Sequence, residues 1–176
     1  MWLSHKVLPL DERGYGYLVE QTVLGARRLH AALREADLAP FRVALLPEPD
    51  INIVNFVVNH PALKDLTALN HVNERIFLEL SLGRPGGPPE YIITRTRFRS
   101  PMYDGALPPL LAALRVGTME EWKAGGHAGL VVLRATVMDP FLAAPPPAPD
   151  HVTGFVAALK RACGTALGAG PATSVL

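Results

Sequence analysis

Two side chains on one predicted strand are the strongest candidates for chemistry in this sequence. Residues 130–138 alternate as a strand does, and one of its faces carries Arg134 and Thr136 among apolar side chains. An arginine on an apolar face is costly unless a carboxylate or phosphate meets it. Arg134 therefore predicts either a cation that binds a ligand or an internal ion pair, with Asp104 or Asp139 as the partner. Both interpretations remain open from the sequence.

A second cluster of charge lies on another predicted strand, where Arg95, Arg97 and Arg99 alternate along one face. Three charges are few for binding RNA, and no aromatic residues interleave for base stacking. The strip is more typical of a solvated edge or of a salt-bridged contact between subunits.

Other reactive side chains are not arranged for catalysis. The six histidines do not fall at zinc-ligand spacings, so we expect no metal site. The single cysteine, Cys163, has no flanking cluster of basic residues and a histidine, which argues against a nucleophilic role. The sequence contains neither a Gly-x-Ser-x-Gly motif nor a phosphate-binding loop.

Composition limits the remaining classes. The 176 residues suffice for one domain with a core of its own, and the net charge of +1 gives no reason to expect nucleic acid or a membrane as partner. A lone cysteine fits a reducing compartment, and the chain has no apolar run of signal-peptide or membrane-spanning length. The sequence therefore predicts a soluble cytoplasmic protein.

Hydrophobic periodicity predicts the elements that position these residues. Thr118 and Glu121 have the spacing of a capping box, which predicts a short helix carrying Trp122. The fold class that follows is α/β: a small two-layer sandwich whose mostly antiparallel sheet is covered by helices. The other predicted helices are 15–36, 63–82, 108–115 and 150–167; the strands are 42–46, 51–58, 91–98 and 130–138; and 143–149 is a proline-rich link.

Five stretches in a fixed order resemble a known family. Together they are similar to the C-terminal region of group II pyridoxal-phosphate-dependent decarboxylases, most of all bacterial tyrosine decarboxylase-like proteins, over roughly residues 2–142. The stretches are His5–Gly16, Gly25–His30, Pro49–Asn55, Leu69–Glu74 and Leu133–Phe141.

The resemblance implies the small C-terminal domain of a fold type I enzyme. In that family a large preceding domain supplies the Schiff-base lysine and the other ligands of pyridoxal phosphate. Residues 1–38 would be a connecting segment and helix from a missing large domain, 39–142 the small domain, and 143–176 the link, last helix and tail. Pyridoxal phosphate would serve the parent enzyme, and we expect none to bind stably to this chain alone.

The resemblance also assigns individual residues. Lys6 follows a histidine, as the reactive lysine of the family does, but the match places it in the connecting segment, and we expect no catalytic residue here. Relatives with this fold often place a small-domain arginine against the substrate carboxylate, which favours Arg134 as a substrate-facing residue. Tyrosine decarboxylases carry a serine near the substrate ring where this chain has Thr136. The alternative for Thr136 is a β-branched residue packed in the core.

Two functions remain from the sequence. The first is the C-terminal part of a pyridoxal-phosphate-dependent amino-acid decarboxylase, a carboxy-lyase for which aromatic amino acids are candidate substrates, inactive as an isolated fragment. The second is a stand-alone binding or dimerisation module without catalysis. In either case the expected partner is another copy of the chain or a full-length decarboxylase subunit.

Overall fold

The computed structural model describes residues 6–84, 86–124, 129–142 and 149–168. Residues 1–5 and most of the predicted proline-rich link, 143–148, lie outside them. Within the described part, the helices are α1 (Tyr15–Glu35), α2 (Leu66–Glu79), α3 (Leu107–Leu114), α4 (Met119–Ala124) and α5 (His151–Gly168), and the strands are β1 (Arg42–Leu45), β2 (Ile53–Asn59), β3 (Thr94–Phe98) and β4 (Leu130–Thr136).

The strands form one sheet in the order β1-β2-β4-β3, and every neighbouring pair is antiparallel. The predicted α/β fold with an antiparallel sheet is confirmed. β2 and β4 occupy the centre, which explains why both are apolar on their two faces. β3 begins at Thr94, three residues later than predicted, because Ile93 donates its backbone N–H to Leu80 O (3.0 Å) instead of joining the sheet.

The three long helices α1, α2 and α5 cover one side of the sheet, which we call the inner face. β2 contributes Val54, Phe56 and Val58 to this core, each 0% exposed. α5 belongs to the same core, since its Phe155 ring meets Phe56 edge-on with centroids 6.4 Å apart. Apolar burial of this kind supplies most of the stability of a domain.

Asn73 fixes α2 to the centre of the sheet. Its side chain is 0% exposed; Oδ1 accepts from Val58 N (2.9 Å), and Nδ2 donates to Val58 O (2.8 Å) and Leu69 O (2.9 Å). The buried amide of Asn73 therefore has partners for both its donor and its acceptor. The helix itself begins at Leu66 because Asp65 Oδ1 accepts a hydrogen bond from Ala68 N (2.8 Å).

The short helices α3 and α4 cover about half of the opposite side of the sheet, the outer face. Trp122 on α4 is 1% exposed and packs in a second core with residues of α3, β2 and β4. The predicted capping box is confirmed, because Glu121 N donates to Thr118 Oγ1 (3.1 Å) and Thr118 N donates to Glu121 Oε2 (2.8 Å). The other half of the outer face has no helix over it among the described residues.

Candidate substrate-binding cleft

The uncovered half of the outer face forms an open cleft of about 500 Å³. Its floor comes from the three strands β2, β4 and β3, one wall from the loop that joins β1 to β2, and the other from Phe98 and Tyr103. Those two rings are stacked with centroids 4.1 Å apart. The floor residues are Ile53, Asn55, Thr96 and Arg134, and the loop wall runs from Leu46 to Ile51.

Arg134 lies on the floor of the cleft and is partly buried. It makes no ion pair and no side-chain hydrogen bond within the described part of the chain. Asp104, one of the two predicted partners, accepts instead from Trp122 Nε1 (2.7 Å) and Ser100 Oγ (3.2 Å). Asp139 Oδ1 accepts from Phe141 N (2.8 Å). A half-buried guanidinium therefore faces the cleft without a carboxylate.

Asn55 lies directly opposite Arg134 on the neighbouring strand β2. Its Oδ1 is the one buried side-chain oxygen or nitrogen without a hydrogen-bond partner among the described residues. The sequence motifs and the family resemblance do not single out this residue. A signal for it exists, since Asn55 shares the outward-facing positions of β2 with the apolar Ile53 and Val57, where a polar residue is unexpected.

Thr136 lies on the same outer face, two residues further along β4 than Arg134. It is exposed, pairs across the sheet with Ile53, and lies beyond the residues that line the cleft. Its exposure rules out the alternative of a residue packed in the core. The side chain is open to contact from outside the domain.

The predicted arginine strip is divided between two environments. Arg95 Nε lies 2.9 Å from Glu74 Oε2 on α2, and Arg97 pairs with the other oxygen of the same carboxylate. The guanidinium of Arg95 also lies 4.0 Å from the centroid of the Phe77 ring. β3 is an edge strand and Arg95 is exposed, which agrees with the predicted solvated edge, but the carboxylate that pairs with both residues belongs to a helix of the same domain rather than to another subunit. Arg99 remains exposed.

The other candidate residues do not form a reactive centre. Burial raises the pKa of the Cys163 thiol to about 12, so it stays protonated at neutral pH. The described residues contain no group of histidine, cysteine and carboxylate side chains that could hold a metal ion. Lys6 is exposed, and no lysine lines the cleft. The described residues that line the cleft therefore include no amine for a Schiff base with pyridoxal phosphate.

The fold and the cleft together define a small α/β domain with an arginine on an open sheet face that pairs with no carboxylate of the described residues. A family model described as tyrosine decarboxylase, C-terminal, matches residues 25–164, and the chain belongs to this family. The match begins within α1 and extends into α5. The resemblance to the C-terminal region of group II pyridoxal-phosphate decarboxylases is thereby confirmed.

Individual relatives agree with the family match. The chain is 33% identical over 150 residues to an L-tyrosine decarboxylase of Levilactobacillus brevis, covering 81% of this chain and 23% of that protein. It is 32% identical over 149 residues to an L-tyrosine decarboxylase of Enterococcus faecium, covering 81% and 24%. The chain thus spans about a quarter of the length of the relatives it matches. No helix in the described ranges is long and apolar enough to cross a membrane.

Proposed function

We propose that this chain serves as the C-terminal domain of a pyridoxal-phosphate-dependent amino-acid decarboxylase in the cytoplasm and supplies one wall of its active site. The observation that carries the proposal is Arg134, which pairs with no carboxylate in the part of the chain that the structure describes and lies in an open cleft of a domain of this family. Such a cation lacks the partner that a buried charge needs, and a carboxylate ligand supplies one.

In this proposal Arg134 binds the carboxylate of the amino-acid substrate. A guanidinium can donate two parallel hydrogen bonds to a carboxylate, which fixes the orientation of the ligand as well as its position. Thr136, exposed on the same face, contacts the part of the substrate beyond the carboxylate or the protein surface that closes over it. These two residues orient the substrate, and the chain contributes no covalent step of its own.

Pyridoxal phosphate would be held by parts of the enzyme other than the described residues. We therefore expect that the purified chain, mixed with pyridoxal phosphate, shows no stoichiometric absorbance band of a lysine Schiff base. Lys6→Ala serves as the control, because the resemblance brings this residue into question as a reactive lysine. A stoichiometric band that disappears specifically in Lys6→Ala would contradict the proposal.

The expected partner is another polypeptide that covers apolar surface. Val7, Val19, Met138 and Phe141 are 79%, 61%, 81% and 65% exposed, so these large apolar side chains are available for contact with a second polypeptide. Such contacts are also what the second candidate function, a dimerisation module, requires. Light scattering at micromolar concentration should show dimers or larger species of the isolated chain, and a monomer that binds no hydrophobic dye would count against both candidates.

A domain exchange tests the leading proposal. Residues 25–164 would replace the matching region of the Levilactobacillus brevis L-tyrosine decarboxylase, and release of carbon dioxide from a panel of amino acids would be measured. We expect activity on at least one amino acid. Arg134→Ala should lower kcat/KM by about 10- to 100-fold, the range of a hydrogen bond to a charged group.

Arg42→Ala is the matched control, since Arg42 is an exposed arginine on the edge strand β1, outside the cleft. It should leave kcat/KM within about twofold of the unmodified chimera, as is usual for surface substitutions. A chimera that folds and binds pyridoxal phosphate but decarboxylates no amino acid would refute the proposal. Equal effects of the two arginine substitutions would refute the role of Arg134.

A further inference from the structure

The loop wall of the cleft is held by other elements rather than by its own backbone. Pro47 and Pro49 have no backbone N–H, and among the described residues no backbone–backbone hydrogen bond joins two residues of 46–51. Leu46 N donates to Asn55 O (3.1 Å) at the start of the wall. Beyond that point the position of the wall depends on contacts with a different part of the fold.

Helix α1 supplies the first of these contacts through His30, which is 4% exposed. Its Nε2 lies 3.0 Å from Leu46 O, just after the end of β1, and its Nδ1 lies 3.1 Å from Arg34 Nη2. A guanidinium only donates hydrogen bonds, so Nδ1 accepts and the ring proton of the neutral histidine is on Nε2. His30 therefore donates to Leu46 O, and Arg34 fixes the tautomer that allows it.

Arg27, about one turn before His30 on α1, supplies the second contact. Its Nε donates to Pro49 O (3.4 Å) and lies 3.8 Å from Glu48 Oε1. Residues three positions apart lie on the same face of a helix, and Pro49 is buried, so its carbonyl needs a donor. Two side chains on one face of α1 thus hold two carbonyls of the wall.

The far end of the wall is connected to the same helix by another route. Asn52, the residue after the wall, accepts from Val137 N (2.8 Å) and donates its side-chain amide to Val137 O (2.8 Å). Val137 in turn packs on α1 at Gly25, where an added Cβ would lie 3.1 Å from Val137 Cγ1. Both ends of the wall are therefore placed by residues 25–30 of α1, although none of these residues lines the cleft.

We propose that His30 and Arg27 are positioning residues, which fix the loop wall opposite Arg134 and thereby set the affinity of the cleft for its ligand. They act through Leu46 and Pro49 and do not touch the ligand. A wall that is already in place costs no ordering when the ligand binds, so its loosening weakens binding. This inference rests on the proposed function for the ligand, but the positioning itself is a property of the chain alone.

Backbone order parameters from 15N relaxation test the positioning on the chain itself. His30→Gln keeps a donor at the place of Nε2, whereas His30→Asn reaches only the place of Nδ1 and loses the bond to Leu46 O. The Glu48 and Asp50 amides should have order parameters of about 0.85 in the unmodified chain and in His30→Gln, the value of rigid backbone. They should fall in His30→Asn, while the Val58 amide, held by Asn73 on the inner face, should not change.

Arg27→Ala tests the second contact without the risk that a change at buried His30 prevents folding, because the Arg27 side chain is 51% exposed. It should lower the order parameters of the wall less than His30→Asn does, and the double variant should bring them below about 0.6, the range of flexible backbone. Arg28→Ala is the matched control, since this neighbouring arginine of α1 pairs with Asp150 (3.4 Å) instead of the wall. It should leave the wall rigid.

The chimera used to test the proposed function measures the effect on affinity, because residues 25–164 include both positions. The double variant Arg27→Ala/His30→Asn should raise KM by about threefold or more, the effect of losing hydrogen bonds of ordinary strength, and leave kcat within about twofold. Restoring the donor with His30→Gln should return most of the loss. A merely destabilised domain would instead lower kcat, through loss of active enzyme, at an unchanged KM.

The inference is overturned if the wall is already flexible in the unmodified chain, or if the glutamine and asparagine variants of His30 give the same order parameters. Equal effects of Arg27→Ala and Arg28→Ala would also overturn it, as would an active chimera whose KM does not respond to the double variant. An inactive chimera whose wall still loosens in His30→Asn would refute the proposed function and uphold the positioning of the wall by α1.

Discussion

The two faces of the sheet differ in whether their asparagine and arginine side chains have hydrogen-bond or ion-pair partners. On the inner face Asn73 has partners on both ends of its amide, and Arg95 and Arg97 share the Glu74 carboxylate. On the open half of the outer face Asn55 Oδ1 and Arg134 have no partner among the described residues. Burying a polar group without a partner opposes folding, so groups retained in that state point to a ligand.

The largest expected effect on stability comes from replacing Asn73, the asparagine whose amide is fully hydrogen-bonded. Asn73→Leu removes the partners of both backbone groups of Val58 in a fully buried place, and each orphaned group costs about 1–3 kcal/mol. We expect the free energy of unfolding to fall by about 3 kcal/mol or more in urea titrations. Asn55→Leu is the matched control and should leave it unchanged or raise it. Equal losses in the two variants would abolish the distinction between the faces.

A second, smaller effect on stability is expected from comparing the paired arginines Arg95 and Arg97 with Arg134. Glu74→Ala leaves Arg95 and Arg97 without their carboxylate, and because both side chains are 35% exposed, the expected loss is about 1 kcal/mol. Arg134→Ala removes a cation that has no carboxylate partner in the described ranges, so the stability of the isolated chain should be unchanged or slightly higher. Urea titrations of both variants measure this difference. A loss of about 3 kcal/mol in Arg134→Ala would instead indicate a buried ion pair.

The sequence predicted the helices and strands better than it predicted which side chains of different elements contact each other. Alternation over 130–138 put Arg134 and Thr136 on one face of a strand, and the spacing of Thr118 and Glu121 predicted a helix start, because each signal is local. Each of these patterns depends on only a few neighbouring residues, and the structure contains both the predicted strand and the predicted helix start.

Contacts between distant segments could not be obtained in this way. Glu74 lies 21 positions before Arg95, and nothing in the alternation of the arginines reveals which side α2 covers. Asn55 is a similar case: it is a polar residue in an otherwise apolar strand, and only the pairing of β2 with β4 brings it opposite Arg134. Pairing and layer order are set by the packing of the whole chain, so single-strand patterns do not determine them.

The smallest expected effect on stability concerns the covered half of the outer face, where polar groups should have hydrogen-bond partners as they do on the inner face. The Trp122 indole N–H, and after it the Ser100 hydroxyl, lower the pKa of the Asp104 carboxyl below its ordinary value of 3.8. A carboxyl whose pKa is lower in the folded state stabilises the fold above its unfolded pKa, and this contribution is lost as the pH falls through the folded value.

Asp104→Asn should therefore reduce the part of the stability that disappears below about pH 4, the range in which an unperturbed aspartate titrates. Trp122→Phe is the companion variant, because it keeps an aromatic ring but removes the N–H donor, and it should flatten the same part of the profile. Urea titrations between pH 7 and pH 3 measure both. If each variant changes the stability by the same amount at every pH, the Trp122–Asp104 hydrogen bond does not hold the carboxylate in its charged form, and the covered half of this face would lack the satisfied polar pair that separates it from the open cleft.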